Sequence, residues 1–143
     1  FLIGGDGPLF NEVKNELKNN GCYEKVKLTG WIPYDGVPDY LNELKLLVFP
    51  SYSEGLPNIV SESMACGTPV LATPVGGVPD LIKDGETGFI IEDNTPECIA
   101  KNVRRALNYP DLDRIVKNAR KLIGEEYTYE AAVERYIKIL NNL

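Results

Sequence analysis

The stretch Leu46-Leu47-Val48-Phe49-Pro50-Ser51-Tyr52-Ser53-Glu54-Gly55-Leu56-Pro57-Asn58-Ile59-Val60-Ser61-Glu62-Ser63-Met64-Ala65-Cys66-Gly67 changes its periodicity once, near the middle. Four apolar residues stop at a proline, as a short buried parallel strand does. A loop of serine, glutamate, glycine and proline follows. Beyond it, Ile59, Val60, Met64 and Ala65 recur at helical spacing, and Gly67 supplies a stop. Strand, short loop and helix in that order make half of a β-α-β unit.

The same grammar extends outward in both directions. Phe1 to Ile3, then Val26, Leu28 and Trp31, then Pro69 to Ala72, then Phe89 to Ile91 are further apolar runs ended by Gly or Pro. Leu9, Val13 and Leu17 mark a helix face, with Pro8 expected at the first helical position and Gly21 as the stop. Val37, Leu41 and Leu44 mark a shorter one. Strands alternating with helices predict an α/β fold, a doubly wound parallel sheet joined by right-handed crossovers. From Pro96 the pattern is helical only: Ile99 to Leu107, Leu112 to Ile123, and Tyr129 to Leu143. The expected organisation is one domain over residues 1–143, with a helical tail over 96–143.

With 143 residues, 43% hydrophobic and 25% charged, the chain has a globular composition and is long enough to bury its own core. No apolar run reaches the ~18 residues of a membrane span. The absence of histidine excludes a Ser-His-Asp or Cys-His machine and any histidine-ligated metal within these residues. Three dispersed cysteines (Cys22, Cys66, Cys98) form no CxxC, so a reducing, cytoplasmic setting is expected. The net charge of −6 is distributed as −2 over residues 1–50, −7 over 51–100 and +3 over 101–143. That balance argues against nucleic acid, and the basic residues from Lys101 to Lys121 are expected on solvated helix faces.

Ligands of open parallel sheets bind beyond the carboxyl ends of the strands. Three Gly- and Pro-rich loops belong there: Gly4 to Pro8, Pro50 to Asn58, and Thr73 to Pro79. The first fails as a dinucleotide fingerprint, because a small residue is needed three positions after Gly7 and Phe10 stands there. The second is the strongest. Asn58 is the expected N-cap, leaving the amides of Ile59, Val60 and Ser61 free to bind an anion, typically phosphate. Glu54 before the helix and Glu62 within it can each accept a pair of sugar hydroxyls. Their alternatives are a solvated loop carboxylate and a favourable charge near a helix start.

Pro50-Ser51-x-x-Glu54-Gly55-Leu56-Pro57-Asn58 through Glu62, continued by Ser63-Met64-Ala65-Cys66-Gly67-Thr68-Pro69-Val70, resembles the Glu-x7-Glu motif of retaining GT-B glycosyltransferases of family 4 (glycosyl transferases group 1). Gly5-Asp6-Gly7-Pro8, Thr29-Gly30, Gly76-Gly77 and Asp84-Gly85-x-x-Gly88-Phe89 fall in that family's order. The resemblance covers nearly the whole chain and implies the Rossmann-like, nucleotide-sugar-binding C-terminal half of such an enzyme. It implies that Glu54, the catalytic position, holds the donor sugar near the reacting carbon. Gly55, Leu56, Pro57 and Asn58 would surround sugar and diphosphate. Ile59 and Val60 would offer amides to the phosphates, and Glu62 would take the ribose hydroxyls. Gly5 and Gly7 would line the donor site, with Gly30, Trp31 and Ile32 flanking the base. For Trp31, simple packing is the competing assignment. Asp80 stands where the family usually has Glu.

The resemblance further implies transfer from a nucleotide-diphosphate sugar to an acceptor hydroxyl with retention, in polysaccharide, glycolipid or glycoconjugate synthesis. No metal and no cofactor is expected; the nucleotide sugar is a substrate. Lys83 is the sole cation of residues 51–100, so diphosphate charge would fall to amides and helix dipole, plus an Arg-x4-Lys pair upstream of Phe1. The chain is thus expected to be a piece lacking its first strand-helix unit and the N-terminal acceptor domain, able to bind donor but not to turn over. Peripheral membrane association of the longer enzyme stays open. Tyr127, Tyr129 and Tyr136 are read as tail packing, with docking on the other domain as the alternative. Rival functions are a non-catalytic sugar-binding or interaction module on the same fold, and a nucleotide-sugar epimerase.

Overall fold

The computed structural model describes residues 1–142 and divides after Val37 into two units. In the first, β1 (Leu2–Gly4) pairs in parallel with β2 (Lys27–Gly30), connected by helix α1 (Phe10–Asn19) and a 3-10 turn at Tyr23–Lys25. Gly5 at φ +122° and Gly30 at φ +67° occupy the left-handed region at the strand ends, and the Gly5 amide donates to the Gly30 carbonyl at 2.8 Å. Pro8 is not the first helical residue. The Phe10 amide closes a turn onto the Gly7 carbonyl at 3.0 Å, so Gly7–Leu9 form that turn and the helix starts at Phe10. Gly21 (φ +65°) follows α1 as expected. Trp31 lies beyond β2 and is 78% exposed.

Helix α2 (Val37–Asn42) leads into the second unit. There β3 (Leu47–Phe49), β4 (Val70–Ala72) and β5 (Phe89–Ile90) form a parallel sheet in that order. Helix α3 (Asn58–Cys66) joins β3 to β4, and the short α4 (Val78–Leu81) lies between β4 and β5. Helices α5 (Pro96–Leu107), α6 (Leu112–Glu126) and α7 (Tyr129–Asn141) complete the chain; Leu143, where the expected tail helix ends, lies outside the described residues.

Strand alternation explains why this sheet is covered twice. On β4, Val70 and Ala72 join Val60 and Met64 of α3 and Val78 and Leu81 of α4 in one cluster. Leu71, one residue out of phase, points the other way and packs with Phe89, Ala106 and Ile115. All three residues of β4 are fully buried. A strand buried on both faces reads as an unbroken apolar run, which is how residues 69–72 read. The fold class is therefore α/β with parallel strands and C-terminal helices.

The buried hydroxyls of Ser63 and Thr68 in this unit are hydrogen-bonded. Gly67 at φ +84° ends α3, Ser63 Oγ donates to the Thr68 carbonyl (3.1 Å), and Thr68 Oγ1 donates to the Leu41 carbonyl (2.8 Å). Asp84 accepts from the Ile90 amide and from Arg105 Nη2 through both oxygens at 2.6 Å, while the Arg105 guanidinium lies 5.4 Å from the Phe89 ring centre. Arg105 apart, the basic residues between Lys101 and Lys121 are exposed, as their charge pattern predicts. Tyr127 packs against the α3–α4 cluster; Tyr129 and Tyr136 are 81% and 69% exposed. Among the described residues no helix is long and apolar enough to cross a membrane.

Candidate functional site

The loop after β3 carries Glu54, and three neighbours hold it. Asn94 Nδ2, from the loop after β5, donates to the Pro50 carbonyl at 3.3 Å. Thr73 Oγ1, the residue after β4, donates to the Ser51 carbonyl. The Gly77 amide donates to the Gly55 carbonyl at 2.6 Å. All three donors lie beyond the carboxyl ends of strands, on the side where ligands of parallel sheets bind.

Gly76 and Gly77 make that last contact possible. Gly76 has φ +54°, and a Cβ there would stand 2.5 Å from the Gly55 carbonyl oxygen and closer still to that of Glu54. At Gly77 a Cβ would meet Leu56 Cδ1 at 2.8 Å. At Gly76 the near atoms are backbone and leave no room for a side chain, so the Thr73–Pro79 loop and the Glu54 loop meet main chain to main chain there.

The start of α3 differs from the expectation in two respects. Pro57 is the N-cap and Asn58 is already helical, with no side-chain cap bond. The Val60 amide is also not free, because it donates to the Pro57 carbonyl at 3.1 Å in a tight first turn. Val60 is moreover fully buried. Proline at the cap explains the shift: its φ is fixed near the −73° observed, and its extended ψ of 114° aims its carbonyl into the first turn. The amides of Asn58 and Ile59 have no acceptor among the described residues, which is the normal condition of a first turn without a side-chain cap.

Glu62 stands four residues after Asn58 and three after Ile59, hence on their side of the helix. Side chains on a helix tilt toward its N-terminus, the end at which those two amides lie. It is half-buried and has no hydrogen-bond partner among the described residues. Glu54 is half-buried too, and its Oε1 accepts from Ser51 Oγ at 2.6 Å. Leu56 is 48% exposed, Gly55 and Asn58 are exposed, and Pro57 is buried. Lys83 is exposed, and its ammonium donates to the Pro79 carbonyl at 2.7 Å.

The second unit thus brings together Glu54, Gly55, Leu56, Pro57, Asn58, Ile59, Val60 and Glu62. Gly5, Gly7, Gly30, Trp31 and Ile32 belong to the first unit, where Gly5 and Gly30 are in direct contact. Asp80 lies in the first turn of α4. Among the described residues no group of three Cys, Asp or Glu side chains is placed to hold a metal. The roles of Ser51 and Thr73 were not legible in the sequence; the one signal was a hydroxyl residue just past the carboxyl ends of β3 and β4.

Residues 1–142 match the protein family described as glycosyl transferases group 1. The uncharacterized glycosyltransferase MJ1178 of Methanocaldococcus jannaschii is 31% identical over 144 residues, across 100% of this chain and 40% of that protein. The alpha-D-kanosaminyltransferase of Streptomyces kanamyceticus is 32% identical over 145 residues, across 100% of this chain and 37% of its own length. The crystal structure of Anabaena HepE in complex with UDP-glucose superposes with a TM-score of 0.86 at 21% identity, covering 99% of this chain and 40% of that one. The chain therefore spans about two fifths of the length of these three relatives, and its architecture is that of the C-terminal half of GT-B structures.

Proposed function

The chain belongs to the glycosyl transferases group 1 family, and from that premise we propose that it is the donor-binding domain of a retaining glycosyltransferase, moving a sugar from a nucleotide diphosphate to an acceptor hydroxyl. The observation that carries this reading is the pairing of two half-buried carboxylates, Glu54 and Glu62, with a helix start whose first two amides are unclaimed. Carboxylates accept from sugar hydroxyls, and free amides at a helix N-terminus attract phosphate.

As the anomeric bond breaks, negative charge grows on the leaving diphosphate. The amides of Asn58 and Ile59 and the positive end of α3 oppose that charge without having to reorganise. Glu54 accepts from hydroxyls of the transferred sugar and fixes the reacting carbon; Glu62 accepts from the ribose. Lys83 is the one cation of residues 51–100, so in this reading that segment opposes the charge mainly with main-chain dipoles. The reading is metal-independent in its chemistry.

A thermal-shift screen of UDP-, GDP- and ADP-sugars against the chain and its Glu62→Ala variant tests this. Protection of the chain by one nucleotide class is expected, with about a tenfold loss of affinity in Glu62→Ala, the usual size for a lost charge-assisted hydrogen bond. Unchanged donor binding in Glu62→Ala would remove the ribose assignment. Protection by NAD alone would favour a dinucleotide site, and no protection by any nucleotide would favour a non-catalytic module.

A further inference from the structure

We propose that Ser51 is the positioning residue for Glu54, itself fixed from the neighbouring strand by Thr73, and that this relay sets which carboxylate oxygen meets the donor sugar. The inference rests on the reading of Glu54 as a sugar contact and goes beyond it by assigning what orients that contact. Ser51 Oγ lies 2.6 Å from Glu54 Oε1 and 3.3 Å from the Ser53 carbonyl. A hydroxyl has one proton to give, and the short, charge-assisted bond to the carboxylate takes it. Oε1 is thereby engaged. Oε2 has no partner among the described residues and is left to accept from a ligand.

A serine can orient a glutamate only if its own backbone is held. The Ser51 carbonyl accepts from Thr73 Oγ1, and Thr73 is 4% exposed at the end of the fully buried β4. Twenty-two residues separate the two in sequence, so this contact ties the loop after β3 to the end of β4. The chain of contacts runs from β4 through Thr73 and Ser51 to the carboxylate. Without the Ser51 hydroxyl, Glu54 keeps its charge and its backbone but gains rotamer freedom, which a sugar must remove on binding.

The test compares UDP-glucose with UDP by isothermal titration, with the GDP and ADP pairs run alongside, on the full chain and its Ser51→Ala, Ser51→Thr and Glu54→Gln variants. Ser51→Ala is expected to lose about tenfold in affinity for the nucleotide sugar and nothing for the nucleoside diphosphate, with Ser51→Thr restoring the loss. Equal loss for both ligands would mean a collapsed loop and would overturn the proposal. If Glu54→Gln loses sugar binding while Ser51→Ala does not, the relay is wrong and the role of Glu54 stands. If neither variant changes the sugar increment, both fall. Should Ser51→Ala fail to fold, Ser51→Cys fills nearly the same volume with a poor donor and is expected to show the same selective loss.

Discussion

Replacing Gly76 by alanine would put a methyl group against the carbonyls of Glu54 and Gly55, at a φ of +54° that a side chain tolerates poorly. Relief requires the two loops to part, breaking the 2.6 Å bond from the Gly77 amide to Gly55. Gly76→Ala is therefore expected to cost at least about 2 kcal/mol in a denaturant titration. It should weaken nucleotide and nucleotide-sugar binding together, since the whole loop moves. That joint loss separates it from Ser51→Ala, whose effect is confined to the sugar. Gly76→Ala protein with wild-type stability would show that the loops are not held in this way.

At the scale of elements, the start of α5 carries an acid-sensitive contact. Glu92 is held below the usual carboxylate range by hydrogen bonds from its own backbone amide first, then from the Cys98 and Asn102 side chains. Asp93 is lowered likewise by the hydroxyl and amide of Thr95, the N-cap of α5. A lowered folded-state pKa gives stability that is present above the unfolded value and lost as pH falls through the folded one. Stability is thus expected to decline below about pH 4.5, the ordinary Glu92 value. Glu92→Gln should flatten that decline while leaving the curve at pH 7 and above parallel to wild type. A variant with the full acid slope would rule out Glu92 as a contributor. Elements at this scale were largely readable from sequence. All five strands and the main helices follow from apolar spacing; in β4, α3 and α6 the spaced residues are the ones that pack into the core. What escaped was local to proline and to contacts across loops. Pro57 moved the cap of α3 by one residue and claimed the Val60 amide. Helix α4 is too short to show a period, and the bond from Thr73 to Ser51 joins two loops that no spacing rule connects.

For the whole molecule, the proportions of the relatives set the expectation. The chain spans 40% of the M. jannaschii protein and 37% of the S. kanamyceticus transferase. Because the chain spans only these fractions of the relatives, we expect these 143 residues to bind a nucleotide sugar without transferring its sugar to an acceptor, and so without releasing the nucleoside diphosphate. A coupled assay of nucleoside diphosphate release, run with the donor identified by thermal shift, checks this. Sustained turnover by these residues alone would overturn it.

The clasp of Gly77 on Gly55 has one more consequence. Since its hydrogen bond is made wholly of peptide groups, it does not depend on the side chains at the exposed positions Tyr52 and Asn58, whereas Leu56 lies against Gly77. Residues at positions 52 and 58 can vary in size and polarity while the frame around them keeps its shape. The ordering entropy of that frame is lost when the chain folds and not again when a guest arrives. A fold built this way can change its preferred sugar through a few surface replacements without rebuilding its anion seat.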